Sequence, residues 1–424
     1  DKLGDISPVT SGSTPPDRDE GLKEGILLLK TANIRNGFMD LEDPSYIDER
    51  LDETLKSTRL KPHDILINIV GATLDVIGRV AVVPPNFPRA NITQAMALVR
   101  IENKKYLPEY VFAFLVSKYG RLQISRLARP TGQYNVNHKE IREIIIPHIS
   151  QQKQVRDIVL QFFKLMKSSD DQYNMAIELL LSKINPQHAI FKHTLTYASK
   201  YSEVYTSDRI DAEYYQPTYK KIIKDIIKNS DSVDKLGNIV EFSKGTEVGS
   251  DEYRDEGIPF IRVSNITKFG IDYHDVKFIG KKLSNDLKSQ YKPSVGEILL
   301  TKDASMGVAL VLREDKEQII SGGILRGKLK TDIDMDMDYL ALVLNSMAVR
   351  TQIERDVNGS VIDHWKPEQI DNTIIPILHP SLRKKIGDTV RKSRDALDEA
   401  ICILHNLINT IEKTIESKNR VVNL

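Results

Sequence analysis

The chain has 424 residues, of which 28% are charged and 40% hydrophobic, and its formal net charge is +1. That length allows two or three domains, each with its own core. The near-zero charge argues against indiscriminate nucleic-acid binding, while leaving room for local basic patches that hold phosphates. No apolar run approaches the roughly 20 residues that span a bilayer, and no signal peptide opens the sequence. The single cysteine, Cys402, excludes an internal disulfide framework and fits a reducing cytoplasm. The sequence starts at Asp1, inside a motif and without methionine, so upstream residues are expected to be missing.

In chain order, Ile26-Leu27-Leu28-Leu29, the run from Asp64 to Val70, and Arg79-Val80-Ala81-Val82-Val83 predict strands, broken by Gly37, Gly71, Gly78 and Pro84-Pro85. Pro108 opens a predicted helix through Leu115, at a position where proline is tolerated. Residues 1–148 thus form a mixed α and β module, followed by a long helix over 149–188. Residues 189–232 are a linker with a short helix through Ile222, Ile223, Ile226 and Ile227. A second module over 233–378 and a second long helix over 379–424 complete the chain.

The second half repeats the first at an offset of about 230 residues. Asp1-Lys2-Leu3-Gly4 returns as Asp234-Lys235-Leu236-Gly237, the run Gly25 to Ile34 as Gly257 to Ile266, and Ile145-Ile146-Pro147 as Ile374-Ile375-Pro376. Two copies of so large a unit are two domains, which should present two similar surfaces to two related targets.

The helices repeat as well. Val155, Val159, Phe162, Met166, Tyr173, Ile177, Leu180 and Ile184 recur three, four or seven apart, as in a coiled-coil seam. Adding 231 gives Ile386, Val390, Ser393, Leu397, Leu404, Ile408, Ile411 and Ile415, with Asp170 and Ile401 in the intermediate slot. Matching seams of matching length predict that the helices pack against each other; the alternative is two amphipathic helices, each on its own module.

Catalytic signatures are lacking: there is no P-loop and no G-x-G-x-x-G after a strand, and the nine histidines show no metal-ligand spacing. Pro84-Pro85-Asn86-Phe87 has the residues of an adenine methyltransferase motif in scrambled order, and two prolines in a turn explain it better. Asp64 and Glu297 sit at equivalent strand starts without a nuclease Glu-x-Lys partner, which favours turn chemistry. Basic and amide residues do cluster at predicted turns. Lys118, Arg121, Arg126, Arg129, Lys139 and Arg142 surround the loop Thr131-Gly132-Gln133-Tyr134-Asn135, and Arg350, Arg355 and Lys366 accompany its counterpart Asn358 to Lys366. Cations neutralise phosphates, and Arg, Gln and Asn form paired hydrogen bonds with purine edges. The same place in each module carries different polar residues, the pattern expected of two readers of different short sequences; a merely solvated loop is the plainer alternative.

Gly132, then Ile144-Ile145-Ile146-Pro147, then Gln151-Gln152-Lys153-Gln154-Val155 resembles the module-to-helix junction of the specificity (S) subunits of type I restriction-modification systems. Leu3-Gly4-Asp5-Ile6 matches the family's module opening. The second copy keeps Gly359 and Ile374-Ile375-Pro376 but departs at Leu382-Arg383-Lys384-Lys385-Ile386. The resemblance implies an α+β protein with two target recognition domains, each followed by a long helix, the helices packed as an antiparallel coiled coil. It implies a non-catalytic subunit that reads a split site in double-stranded DNA and binds two methyltransferase and two restriction motor subunits, with no membrane partner. S-adenosylmethionine, ATP and magnesium are expected on those partners, and no cofactor or metal on this chain. The expected base-edge contacts are Gln133 and Asn135, with Thr131 beside them and Arg126 and Arg129 on phosphates or bases, and Ser360, His364 and Lys366 are the choices around the equivalent loop of the second module. Lys30, Asn33 and Arg35 with Arg262, Asn265 and Lys268 form a further candidate surface. Two other readings remain open: the specificity portion of a fused type II restriction-methyltransferase, and a coiled-coil scaffold without DNA contact.

Overall fold

The computed structural model describes residues 1–41, 44–184, 193–207, 209–357 and 364–422, without the side chains of residues 131 and 418–422. The chain divides into two compact units, Asp1–Lys167 with Ala396–Leu424, and Ser168–Asp395.

In the first unit the strands Val9–Ser11, Met96–Val99, Ile65–Asn68 and Val80–Val82 form an antiparallel sheet in that order. Its apolar runs are continuous because both faces are covered. Ile65 and Ile67 point into a core with the helix Pro108–Val116. Leu66 points the other way, into a core with Leu29 and Ile34. The two-residue period of a strand divides one hydrophobic run between two cores. A second sheet orders Ser45–Ile47, Ile26–Leu29 and Ala90–Ile92, the last pair parallel.

In the second unit Val240–Lys244, Ile324–Leu329, Ile298–Thr301 and Ala309–Val311 form an antiparallel sheet in that order. A second sheet orders Tyr253–Arg254, Lys277–Ile279, Ile258–Ile261 and Ile319–Ile320, again with a parallel last pair. The segment ahead of it carries the helix Pro217–Asn229, whose Ile222 and Ile226, four apart, are buried, while Ile227 is exposed.

Repeated sequence motifs acquire physical reasons here. The Tyr110 hydroxyl donates to the carbonyl of Pro147 and the Tyr339 hydroxyl to that of Pro376, tying each module's buried helix to its Ile-Pro segment. Burial pushes both phenols well above their usual range. Gln152 bonds the main chain of Leu107 and Lys105 from the start of the first long helix. At the departing junction Arg383 stands 231 residues after Gln152 and bonds the carbonyls of Leu378 and Asp334, so a different side chain ties down the corresponding loop.

The first long helix runs Gln152–Ile184 over 33 residues, about 50 Å at 1.5 Å per residue. The C-terminal helix runs Pro380–Val422. Each contributes to both units, in opposite order. In the first unit Val155, Val159 and Phe162 share a core with Ala400, Leu404, Leu407 and Ile411. In the second, Tyr173, Ala176, Leu180 and Ile184 share one with Ile386 and Val390. The seam departs from expectation in its middle: Asp170 and Ile401 are exposed, and Ser169, Ala176 and Ala400 are buried instead. Strict alternation of steps of four and three from Val155 lands on residues 169 and 176, because a heptad seam advances 3.5 residues per turn. Within the second unit the Ser393 hydroxyl donates to the carbonyl of Ser169 at 2.8 Å, and both serines are buried. Gly37, with φ of 112°, packs so closely on Leu404 that an added Cβ would stand 2.7 Å from its Cδ2, which accounts for glycine there.

Candidate nucleic-acid interface

The loop predicted to read bases in the first unit is a β-hairpin. Arg129–Thr131 pairs with Gln133–Asn135 across Gly132, and Tyr134 and Asn135 pair in turn with Gly71 and Val70, just beyond the central strand. Gly132 has φ of 83°, the left-handed region that glycine enters without a Cβ penalty, and nothing lies within 4 Å of where that Cβ would be. Strand alternation turns Tyr134 toward the core, where it packs, and leaves Gln133 and Asn135 exposed on the opposite face. Arg129 forms an ion pair with Glu140. Arg126 is exposed in the last turn of the helix Lys118–Leu127 and has no ion-pair partner among the described residues; its charge complements the helix C-terminus. Thr131 lies in the hairpin, and its side chain is outside the described set.

The surrounding cations divide into framework and surface. Arg121 bonds the carbonyls of Ile77, Leu74 and Asp75 and braces their loop; burial lowers its pKa. Lys118 pairs with Glu416 of the C-terminal helix. Lys139 and Arg142 are exposed.

The turns at Lys30 to Arg35 and Arg262 to Lys268 share one geometry. The Asn33 side-chain oxygen accepts from the Lys30 amide at 2.9 Å and its nitrogen donates to the Asp40 carbonyl at 3.0 Å. Asn265 accepts from the Arg262 amide and donates to the Asp272 carbonyl, each at 3.0 Å. Both asparagines are buried, which gives them a bracing role in the turn. Arg35 pairs with Asp40 and Arg262 with Asp275. Lys268 lies over the rings of Tyr173 and Phe269, at 4.9 and 5.0 Å. Lys30 is exposed.

In the second unit Ser360 falls outside the described residues, whereas His364 and Lys366 lie within them. His364 forms an antiparallel bridge with Asp303, two residues past the strand Ile298–Thr301, and its Nδ1 stands 2.8 Å from Asp303 Oδ1. Lys302 Nζ donates to the other carboxylate oxygen at 2.8 Å. Burial raises the Asp303 pKa, but the hydrogen bonds from Lys302 and His364 outweigh it and hold the carboxyl below its usual range. Lys366 is exposed at the start of the helix Pro367–Asp371. Neither Lys302 nor Asp303 was singled out from sequence, although aligning the central strands of the repeats would have placed them opposite Ile69 and Val70.

The acidic candidates are structural. Asp64 accepts from the Lys61 amide and takes a double hydrogen bond from Arg100. Glu297 accepts from the Ser294 amide, with Lys328 at 3.2 Å. Among the described residues no helix is long and apolar enough to cross a membrane.

No family model matches the sequence. Over 172 residues, 40% of the chain, it is 27% identical to the type I restriction enzyme EcoBI specificity subunit of Escherichia coli, and the match spans only 35% of that subunit's length. Among solved structures, the type I restriction-modification S subunit from M. genitalium aligns with 98% of this chain and 93% of its own, at 14% identity and a TM-score of 0.38. The HsdS subunit from Thermoanaerobacter tengcongensis aligns with 97% of this chain and 95% of its own, at 14% identity and a TM-score of 0.30. Over those 172 residues, the chain is similar in sequence to a type I restriction-modification specificity subunit.

Proposed function

We propose that this chain is a sequence-specific DNA reader that recognises a split duplex site, one module to each half. It directs two adenine methyltransferase subunits, and with them two restriction motor subunits, to that site. The reader itself is non-catalytic, and S-adenosylmethionine, ATP and magnesium act on the partners. The observation that carries this reading is one of position: Gln133 and Asn135 in one unit and His364 in the other are exposed polar side chains attached just beyond the central strand. The four-stranded antiparallel sheets of the two units have corresponding strand orders, and each mixed sheet ends in a parallel pair, which supports repeated modules. The opposite order in which the two long helices join the units supports an antiparallel coiled coil. Such a pair would keep the half-sites about one helical turn, roughly 34 Å, apart. Gln133, Asn135 and His364 are assigned to base edges, and Arg126, Arg129, Lys30 and Lys366 to phosphates.

The test is methylome sequencing of cells carrying this chain with its methyltransferase, beside assays of the purified chain alone. A split motif with adenine methylated on both strands is expected, together with a chain that neither methylates nor cleaves by itself. Absence of any motif, or activity that survives rigorous purification of the chain, overturns the proposal.

A further inference from the structure

The environment of His364 determines which of its nitrogens carries hydrogen. A carboxylate can only accept, so the 2.8 Å contact with Asp303 Oδ1 places a hydrogen on Nδ1. The carboxylate is not free to turn away, because Lys302 Nζ holds its second oxygen at 2.8 Å. Lys302 is itself fixed: its amide donates to the Gly323 carbonyl, and its carbonyl accepts from the amide of the buried Trp365. The Lys302 side chain is 15% exposed and that of His364 57% exposed. The ammonium is therefore internal, while the imidazole projects outward. A neutral imidazole that donates from Nδ1 has a lone pair on Nε2.

We infer that His364 reads an exocyclic amino group in the major groove, N6 of adenine or N4 of cytosine, as a hydrogen-bond acceptor, with Asp303 and Lys302 as its positioning residues. This rests on the DNA-reading function proposed above. The amino groups of adenine and cytosine are the major-groove donors, whereas guanine and thymine present acceptors at the corresponding edge. The same geometry dictates what Asp303→Asn does. The Lys302 ammonium can only donate, so it takes the amide oxygen and leaves the amide nitrogen facing His364. Nδ1 must then accept, the hydrogen moves to Nε2, and the outward atom becomes a donor suited to guanine or thymine.

The experiment uses the full chain in mildly alkaline buffer, with duplexes selected from a randomised library and then varied one base pair at a time. In the wild-type chain one position of the second half-site should prefer adenine or cytosine. His364→Ala should flatten that position alone, by roughly 3- to 10-fold, the range of one hydrogen bond. Asp303→Asn should turn the preference toward guanine or thymine. Removing the amino group from the DNA needs no protein variant: purine in place of adenine, or 2-pyrimidinone in place of cytosine, should weaken wild-type binding by the same factor and leave His364→Ala unaffected. A selective wild-type chain that is indifferent to loss of the amino group, or an unchanged preference in folded Asp303→Asn, overturns the inference and leaves the reader intact. A wild-type chain with no sequence preference overturns the reader itself.

Discussion

Gly132→Ala separates backbone geometry from packing at the hairpin. Nothing lies within 4 Å of the added methyl, so the substitution carries no steric cost from neighbours, but φ of 83° must be held by a residue with a Cβ. That strain is about 1–2 kcal/mol, which corresponds to roughly 5- to 30-fold if relieving it displaces Gln133 and Asn135 from their paired geometry. Within the hairpin only Tyr134 packs against the core, whose bulk lies in the central sheet and its helix, so global stability should change by little more than the strain itself. Asparagine tolerates the left-handed region, so Gly132→Asn should recover most of the loss. Fluorescence anisotropy on the cognate duplex and on single-base variants of the first half-site, beside a thermal melt, reads both quantities. Binding ordered Gly, then Asn, then Ala, with the loss confined to the first half-site, is expected. Full affinity and selectivity in a folded Gly132→Ala chain would refute the hairpin as a reading element.

Gln133→Ala should relax selectivity at one base position, whereas Arg126→Ala should weaken all sequences alike and reduce the slope of log affinity against log salt, both visible in the same anisotropy assay. Leu180→Asp places a charge at a fully buried site and should cost several kcal/mol in a urea titration, while Ile401→Asp, at a site 48% exposed, should fall within about 0.5 kcal/mol. Arg209 bonds the Asp356 carbonyl at 2.5 Å and packs over Tyr214, so Arg209→Gln should destabilise the second unit by about 1–3 kcal/mol, read by fluorescence of its tryptophan, Trp365. Arg209 also holds the Asp211 carboxyl below its usual range through a hydrogen bond. A depressed folded pKa adds stability above the unfolded value of about 3.9, lost as pH falls through the folded pKa. The melting temperature should therefore fall less on acidification in Asp211→Asn than in the wild-type chain.

Much of the architecture was local enough to be legible in the residues. Ile65 to Asn68 and Ile298 to Thr301 are apolar runs of strand length, and Pro108 opens its helix where expected, because strand and helix periods are written in neighbouring side chains. The turn at Gly132 was visible as a glycine among polar residues, but the short strands that flank it were not. What the residues could not display were partners distant in sequence. Asn33 and Asn265 belonged to a candidate DNA-binding surface in the sequence, whereas the fold buries them against main chain seven residues away. The choice between Asp170 and Ser169, one residue apart, depended on which face the opposite helix covers, and a local periodicity with gaps of seven does not fix that register. Arg383 and Gln152 are different residue types, yet each donates to main-chain carbonyls of the loop that packs beneath its helix start. Asp303 and His364 are 61 residues apart. Only the sheet end on which both segments converge brings a carboxylate to one nitrogen of the imidazole, and with it decides what the other nitrogen can recognise.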